Sequence, residues 1–156
     1  MSELVEVDGL EAVITIMRSY GVFQNLVGGR IDIKHHYGQD EEDWSLDDQS
    51  IVLTQVQDEA EVYLDYQPLR IQVRCYAGNG GDYEAMALYR AVLQFCNNYG
   101  DHRTVVEVAN GNALVYYILP VTAPRFGVDS ELTESTQMNY SEFTIKAQVS
   151  NKLVAI

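Results

Sequence analysis

Cysteine, proline, tryptophan and basic residues are all scarce in this sequence. Two cysteines in 156 residues, Cys75 and Cys96, make neither a metal-binding spacing nor a disulfide framework. Three prolines and one tryptophan leave no proline-rich linker and no low-complexity segment. Lysine and arginine total 10 against 23 aspartate and glutamate, a net charge of −13. That balance argues against gripping nucleic acid or an anionic membrane by net charge. No apolar run approaches ~18 residues, so no transmembrane helix is expected. The first residues, Met1 to Glu6, are acidic where a secretory signal would be basic and then apolar. These features predict a soluble, cytoplasmic protein.

What is present is packing material. Apolar residues make up 47% and aromatics 10%, too much for a disordered acidic chain. The length fits one domain, residues 1–156, on a prior of ~150 residues per domain. Asp8-Gly9-Leu10-Glu11 has the form of a capping box, and Leu10, Val13, Ile14 and Met17 follow at helical spacing. Gly21 breaks that helix, with a short continuation to Val27 before Gly28-Gly29. Arg30 to Ile33 reads as a short strand and Lys34 to Gln49 as an acidic loop. Ile51 to Gln57 and Ala60 to Tyr66 read as strands, with Pro68 separating the latter from the clearest strand of the chain. In that strand Leu69, Ile71, Val73 and Cys75 face one way, and Arg70, Gln72, Arg74 and Tyr76 the other. Asp82 is placed to cap a second helix with the stripe Ala85, Leu88, Tyr89, Val92, Phe95 and Cys96, stopped by Gly100. Arg103 to Val108, Ala113 to Leu119 and Asn139 to Val149 read as strands, the first two joined by a hairpin at Asn110-Gly111. Pro120 to Gln137 reads as a long loop. This order predicts an α+β fold: a mainly antiparallel sheet with two principal helices packed on one face.

Chemistry-bearing constellations are few. Gly78-Asn79-Gly80-Gly81-Asp82-Tyr83 sits where a dinucleotide fingerprint would, but Tyr83 occupies the third glycine position and Asp82 opposes a pyrophosphate. His35-His36 beside Asp40, Glu41, Glu42 and Asp43 has metal-capable side chains, and adjacent histidines on an extended backbone point to opposite faces. A solvated acidic loop and a weak divalent-cation site are the two readings of that cluster. Cys75 and Cys96 fall on the apolar sides of their elements, where a thiol acts as a small hydrophobe. No Gly-x-Ser-x-Gly elbow occurs, and Asn139-Tyr140-Ser141 is a glycosylation sequon without a secretory signal. Arg70 and Arg74, spaced by Gln72, are either cross-strand partners on a solvated face, with Asp65 as one candidate, or contacts to acids of a neighbouring subunit. No catalytic residue, metal or cofactor is expected.

Several strings resemble the tail terminator, or tail-completion, proteins of tailed bacteriophages. The resemblance begins at Asn25-Leu26-Val27-Gly28-Gly29-Arg30-Ile31, similar to that family's helix end, glycine turn and first strand. It continues through Ser50-Ile51-Val52-Leu53, the strand Leu69 to Ala77, and a helix opening at Asp82-Tyr83-Glu84-Ala85. It covers roughly residues 8 to 98, and the acidic insert Gln39 to Asp48 and the segment after Pro120 depart from it. The resemblance implies a non-enzymatic virion protein of the neck, assembled in the host cytoplasm. Its subunits would form a ring, usually a hexamer, that caps the tail tube protein and joins the head-neck connector proteins. DNA would pass through without specific binding, and no membrane is involved. Arg70, Gln72 and Arg74 become candidate subunit contacts; Asp40, Glu41, Glu42, Asp43, Asp47 and Asp48 become candidates for the lumen or a partner contact. Another neck or head-completion subunit, and a small α+β ligand-binding or metal-dependent enzyme domain with its site in the acidic loop, are the alternatives.

Overall fold

The computed structural model describes residues 9–28, 30–32, 49–56, 66–78, 81–99, 103–108, 111–129, 138–150 and 154. Helix α1 (Gly9–Ser19) buries Leu10, Ala12, Val13, Ile14, Ile16 and Met17. Helix α2 (Gly21–Val27) follows after the break at Tyr20 and buries Phe23 and Val27. It ends at Gly28, whose φ of 57° is left-handed and whose N–H donates to the Gln24 carbonyl. Glycine reaches that conformation without the steric cost a Cβ brings. The Arg18 guanidinium donates twice to the Ile31 carbonyl, at 3.0 and 2.6 Å, tying the end of α1 to strand β1 (Ile31–Asp32).

Four strands make the body of the sheet: β2 (Ser50–Val56), β3 (Tyr66–Tyr76), β4 (Thr104–Val108) and β5 (Gly111–Pro120). Two more, β6 (Arg125–Asp129) and β7 (Met138–Ser150), complete it, and α3 (Asp82–Tyr99) links β3 to β4. The order is β1-β2-β3-β7-β5-β4, with β6 also on β7. Every pairing is antiparallel except the short β1–β2 ladder. The fold is α+β with a mainly antiparallel sheet, as the alternation of apolar periods predicts.

The sheet's inner face follows the predicted parity. Leu69, Ile71, Val73 and Cys75 are buried, as are Phe143, Ile145, Ala147 and Val149 of β7. The helices lie on this face. Tyr89 of α3 meets Phe143 edge-on at 4.8 Å, and the Ser141 hydroxyl donates to the Ala85 carbonyl at 2.9 Å. Phe95 of α3 meets Phe23 and Tyr20 at 5.5 Å each, so one aromatic cluster joins the α1–α2 corner to α3.

The structure corrects several local expectations. Pro68 does not end a strand; it lies inside β3, opposite Gln148 of β7. The described ladder with β2 runs from Ser50–Tyr76 to Val56–Arg70, two residues short of Pro68. The strand expected over Ala60 to Tyr66 lies outside the described residues except for Tyr66, which opens β3. Asp82 is the first helical residue rather than the cap, and the Glu84 carboxylate accepts from the Gly81 N–H at 2.7 Å. That is half of a capping box one residue earlier. The hairpin forms with Val108 opposite Gly111, so Gly111 is already strand; Ala109 and Asn110 lie outside the described residues.

Part of the long loop expected over 120–137 is also strand. Val121 and Thr122 donate to the Thr144 carbonyl, and β6 then pairs with β7 from Arg125–Glu142 to Asp129–Met138. β5 and β6 thus run end to end along one edge of β7. Five residues centred on a glycine are too few for alternation to register, and the ladder with β7 supplies what propensity does not. A bulge at Tyr116 separates the pairs Val115–Val149 and Tyr117–Gln148. It reverses the parity of β5, so Ile118 is buried rather than Tyr117.

Candidate functional site

The expected contact residues lie on the sheet face turned away from the helices. Cross-strand partners share a face in an antiparallel sheet. Arg70, Gln72, Arg74 and Tyr76 therefore lie with Val56, Thr54, Val52 and Ser50 of β2 and with Lys146, Thr144, Glu142 and Tyr140 of β7. The face is uneven. Ser50, Val52 and Tyr76 at one end are buried, whereas Val56 (43% exposed), Arg70 and Lys146 at the other are open. The Ser50 hydroxyl is buried without a hydrogen-bond partner among the described residues.

Arg74 is the centre of a built cluster. Its Nη2 and Nε donate to Glu142 Oε2 at 2.6 and 3.1 Å, and its Nη1 donates to Tyr76 Oη at 3.3 Å. The guanidinium carbon lies 4.4 Å from the centre of the Tyr140 ring. That ring in turn covers Gly127 of β6, where an added Cβ would sit 2.6 Å from Tyr140 Oη. Only a residue without a side chain leaves room for it.

Burial disfavours both charges, and their partners outweigh it. The Glu142 carboxyl sits below the ordinary glutamate value of 4.5 because Arg74, Gln72 and Arg125 more than offset burial. Bonds to Tyr76 and Glu142 likewise raise Arg74, against the same burial penalty. Arg74 is thus engaged within its own subunit by Glu142; Asp65, the partner suggested by the sequence, lies outside the described residues. Gln72 is half-buried and helps hold the Glu142 carboxyl below its ordinary value. Of the three expected contact residues, Arg70 is the exposed one.

Arg70 stands directly across from Lys146, also exposed, whose Nζ is 6.0 Å from the centre of the Tyr117 ring. Two cations thus stand side by side in a protein of net charge −13. Like charges directly across a ladder repel, and Arg70 also has a partner within its own chain. Sequence reading missed Glu142, Tyr140 and Lys146 as members of this site. Carrying the alternation of the last strand back from Phe143 places Glu142 and Tyr140 on the polar face; the register that sets them beside Arg74 and Tyr76 is not visible in one strand.

The acidic residues Asp40, Glu41, Glu42, Asp43, Asp47 and Asp48, with His35 and His36, lie outside the described residues. Among the described residues no three His, Cys, Asp or Glu side chains gather to hold a metal ion. Cys75 and Cys96 are buried, and burial pushes both thiols up to about 12. No helix among the described residues is long and apolar enough to cross a membrane. No family model matches the chain, and no curated protein sequence matches it.

Proposed function

We propose that this chain is a structural virion subunit, a tail terminator that assembles as a ring, caps the tail tube and joins tail to head. The observation that carries the reading is the Arg70–Lys146 pair at the open end of the sheet's outer face. A ring closes by heterologous contacts, in which one patch meets a different patch of the next copy. A cation pair on an otherwise acidic subunit suits that arrangement, because the surface it meets is abundant on the neighbour. The order helix, glycine turn, strand, long strand, helix, over the stretch with the phage-like strings, supports the same reading. An acidic subunit also suits a conduit for DNA, since attraction to phosphates would retard passage. Asp40, Glu41, Glu42, Asp43, Asp47 and Asp48 serve in that lumen or at a contact with a neck protein.

Mass in solution and negative-stain imaging test the proposal together. A ring near six subunits with a central hole is the expected result, and Arg70→Glu should yield a folded subunit that no longer closes rings. A monomer that binds a divalent cation or small ligand through the acidic segment would overturn it.

A further inference from the structure

The edge of the sheet at β6 carries a pattern independent of the outer face. β6 pairs with β7 on one side, and no described strand pairs with the other. Phe126 and Val128 are 42% and 51% exposed. They lie on the helical side of the sheet, since Phe126 is across from Ser141, which bonds α3. α3 leaves them uncovered. An exposed edge with apolar side chains is a template for another strand.

The order of residues says which strand. Arg125-Phe126-Gly127-Val128-Asp129 reads cation, apolar, glycine, apolar, anion. Lay a second copy antiparallel, with Gly127 across from Gly127. Position 125 then faces position 129 of the other copy twice, a cation across from an anion each time. Positions 126 and 128 face each other twice, phenylalanine across from valine. Sliding the register by two residues removes both charge pairs, and a parallel arrangement sets like beside like. The Tyr140 ring already fills the space over Gly127, so the centre of the pair presents no gap on the outer face.

We propose that β6 is a homodimerisation edge, along which two copies of this chain pair antiparallel about a two-fold axis at Gly127. The contact is isologous and so cannot itself close a ring. It joins two free subunits, or one subunit from each of two rings, and it stands whether or not the ring reading holds. Five residues a side bury less than the roughly 1,200 Å² at which stable interfaces begin, so the pairing is weak and concentration-dependent.

Sedimentation velocity from about 10 µM to about 1 mM tests it. The wild type should double in mass across the range, from one subunit to two or from one ring to two. Arg125→Asp and Asp129→Arg should each lose the doubling, because like charges then face across the axis. An equimolar mixture of the two variants should regain it as a mixed pair, since each supplies the charge the other lacks. A wild type that never doubles, single variants that double normally, or a mixture that fails to recover while both variants keep wild-type melting would each overturn the proposal. Should a charge variant melt early, Val128→Lys, at an exposed position, takes its place and must abolish doubling as well.

Discussion

An aspartate at position 73 puts the orientation of the sheet to a direct test. Val73 is fully buried, with Leu53 and Phe143 across from it on the two neighbouring strands. Removing its methyl groups from that environment costs about 1.5–2 kcal/mol. Both described cross-strand neighbours are apolar, so a carboxylate there takes up a proton instead. Holding a group of ordinary pKa about 3.9 protonated at pH 7 costs about 4 kcal/mol. The neutral acid, left without hydrogen bonds, costs about 1–3 kcal/mol more. The total, roughly 7 kcal/mol or more, is comparable to the ~5–15 kcal/mol that holds a whole domain folded. The matched control is Val56→Asp, one strand away on the outer face, exposed and across from Arg70. It should change stability by no more than ~0.5 kcal/mol. Urea unfolding followed by far-ultraviolet circular dichroism at pH 7 and pH 4 reads both. The deficit of Val73→Asp relative to wild type should shrink by roughly half at pH 4, where protonation is nearly free. A Val73→Asp protein within 1 kcal/mol of wild type, or equal damage from Val56→Asp, would refute the assignment of faces.

Two further outcomes follow from the same geometry. Glu142 is held below its ordinary value, so its contribution is fully present above the unfolded pKa and is lost as pH falls through the folded one. Glu142→Gln should therefore cost about 1–2 kcal/mol at pH 7 and flatten the acid limb of a stability–pH curve, and an unchanged acid limb would count against the ion pair. Cys75 and Cys96 should resist a thiol reagent in the native protein and react together on unfolding, since both are buried and pushed up to about 12; stoichiometric labelling of the native state would contradict their placement.

The parts legible in the sequence are those where one period runs unbroken. Leu69 to Cys75 and Phe143 to Val149 alternate cleanly, and their inward faces are as read. α3 shows its stripe because Leu88, Val92, Phe95 and Cys96 all meet the core. What escaped depends on partners distant in sequence. β6 is a strand because β7 pairs with it, and Pro68 lies inside β3 because that strand pairs with β7 on both sides of it. The bulge at Tyr116 changes which residues of β5 face inward without any glycine or proline to announce it. At the candidate site the period placed Arg70, Gln72 and Arg74 on one face correctly. It could not say that Glu142 would come within 2.6 Å of Arg74 and occupy it, nor that Lys146 would stand across from Arg70.

The placement of β7 governs when this chain can fold. Among the described residues it is the last strand in sequence order and yet lies inside the sheet, with β3 on one side and β5 and β6 sharing the other. During synthesis, β2 and β3 can pair as soon as they emerge, and so can the β4–β5 hairpin. Neither half has a described ladder to the other until residues 138–150 have left the ribosomal tunnel and slot between them. Until then the edges of β3 and β5 are open to other nascent chains, a window set by translation rate and not by native stability. A slow stretch of codons before position 138 should lengthen that window and lower soluble yield, without altering the finished protein.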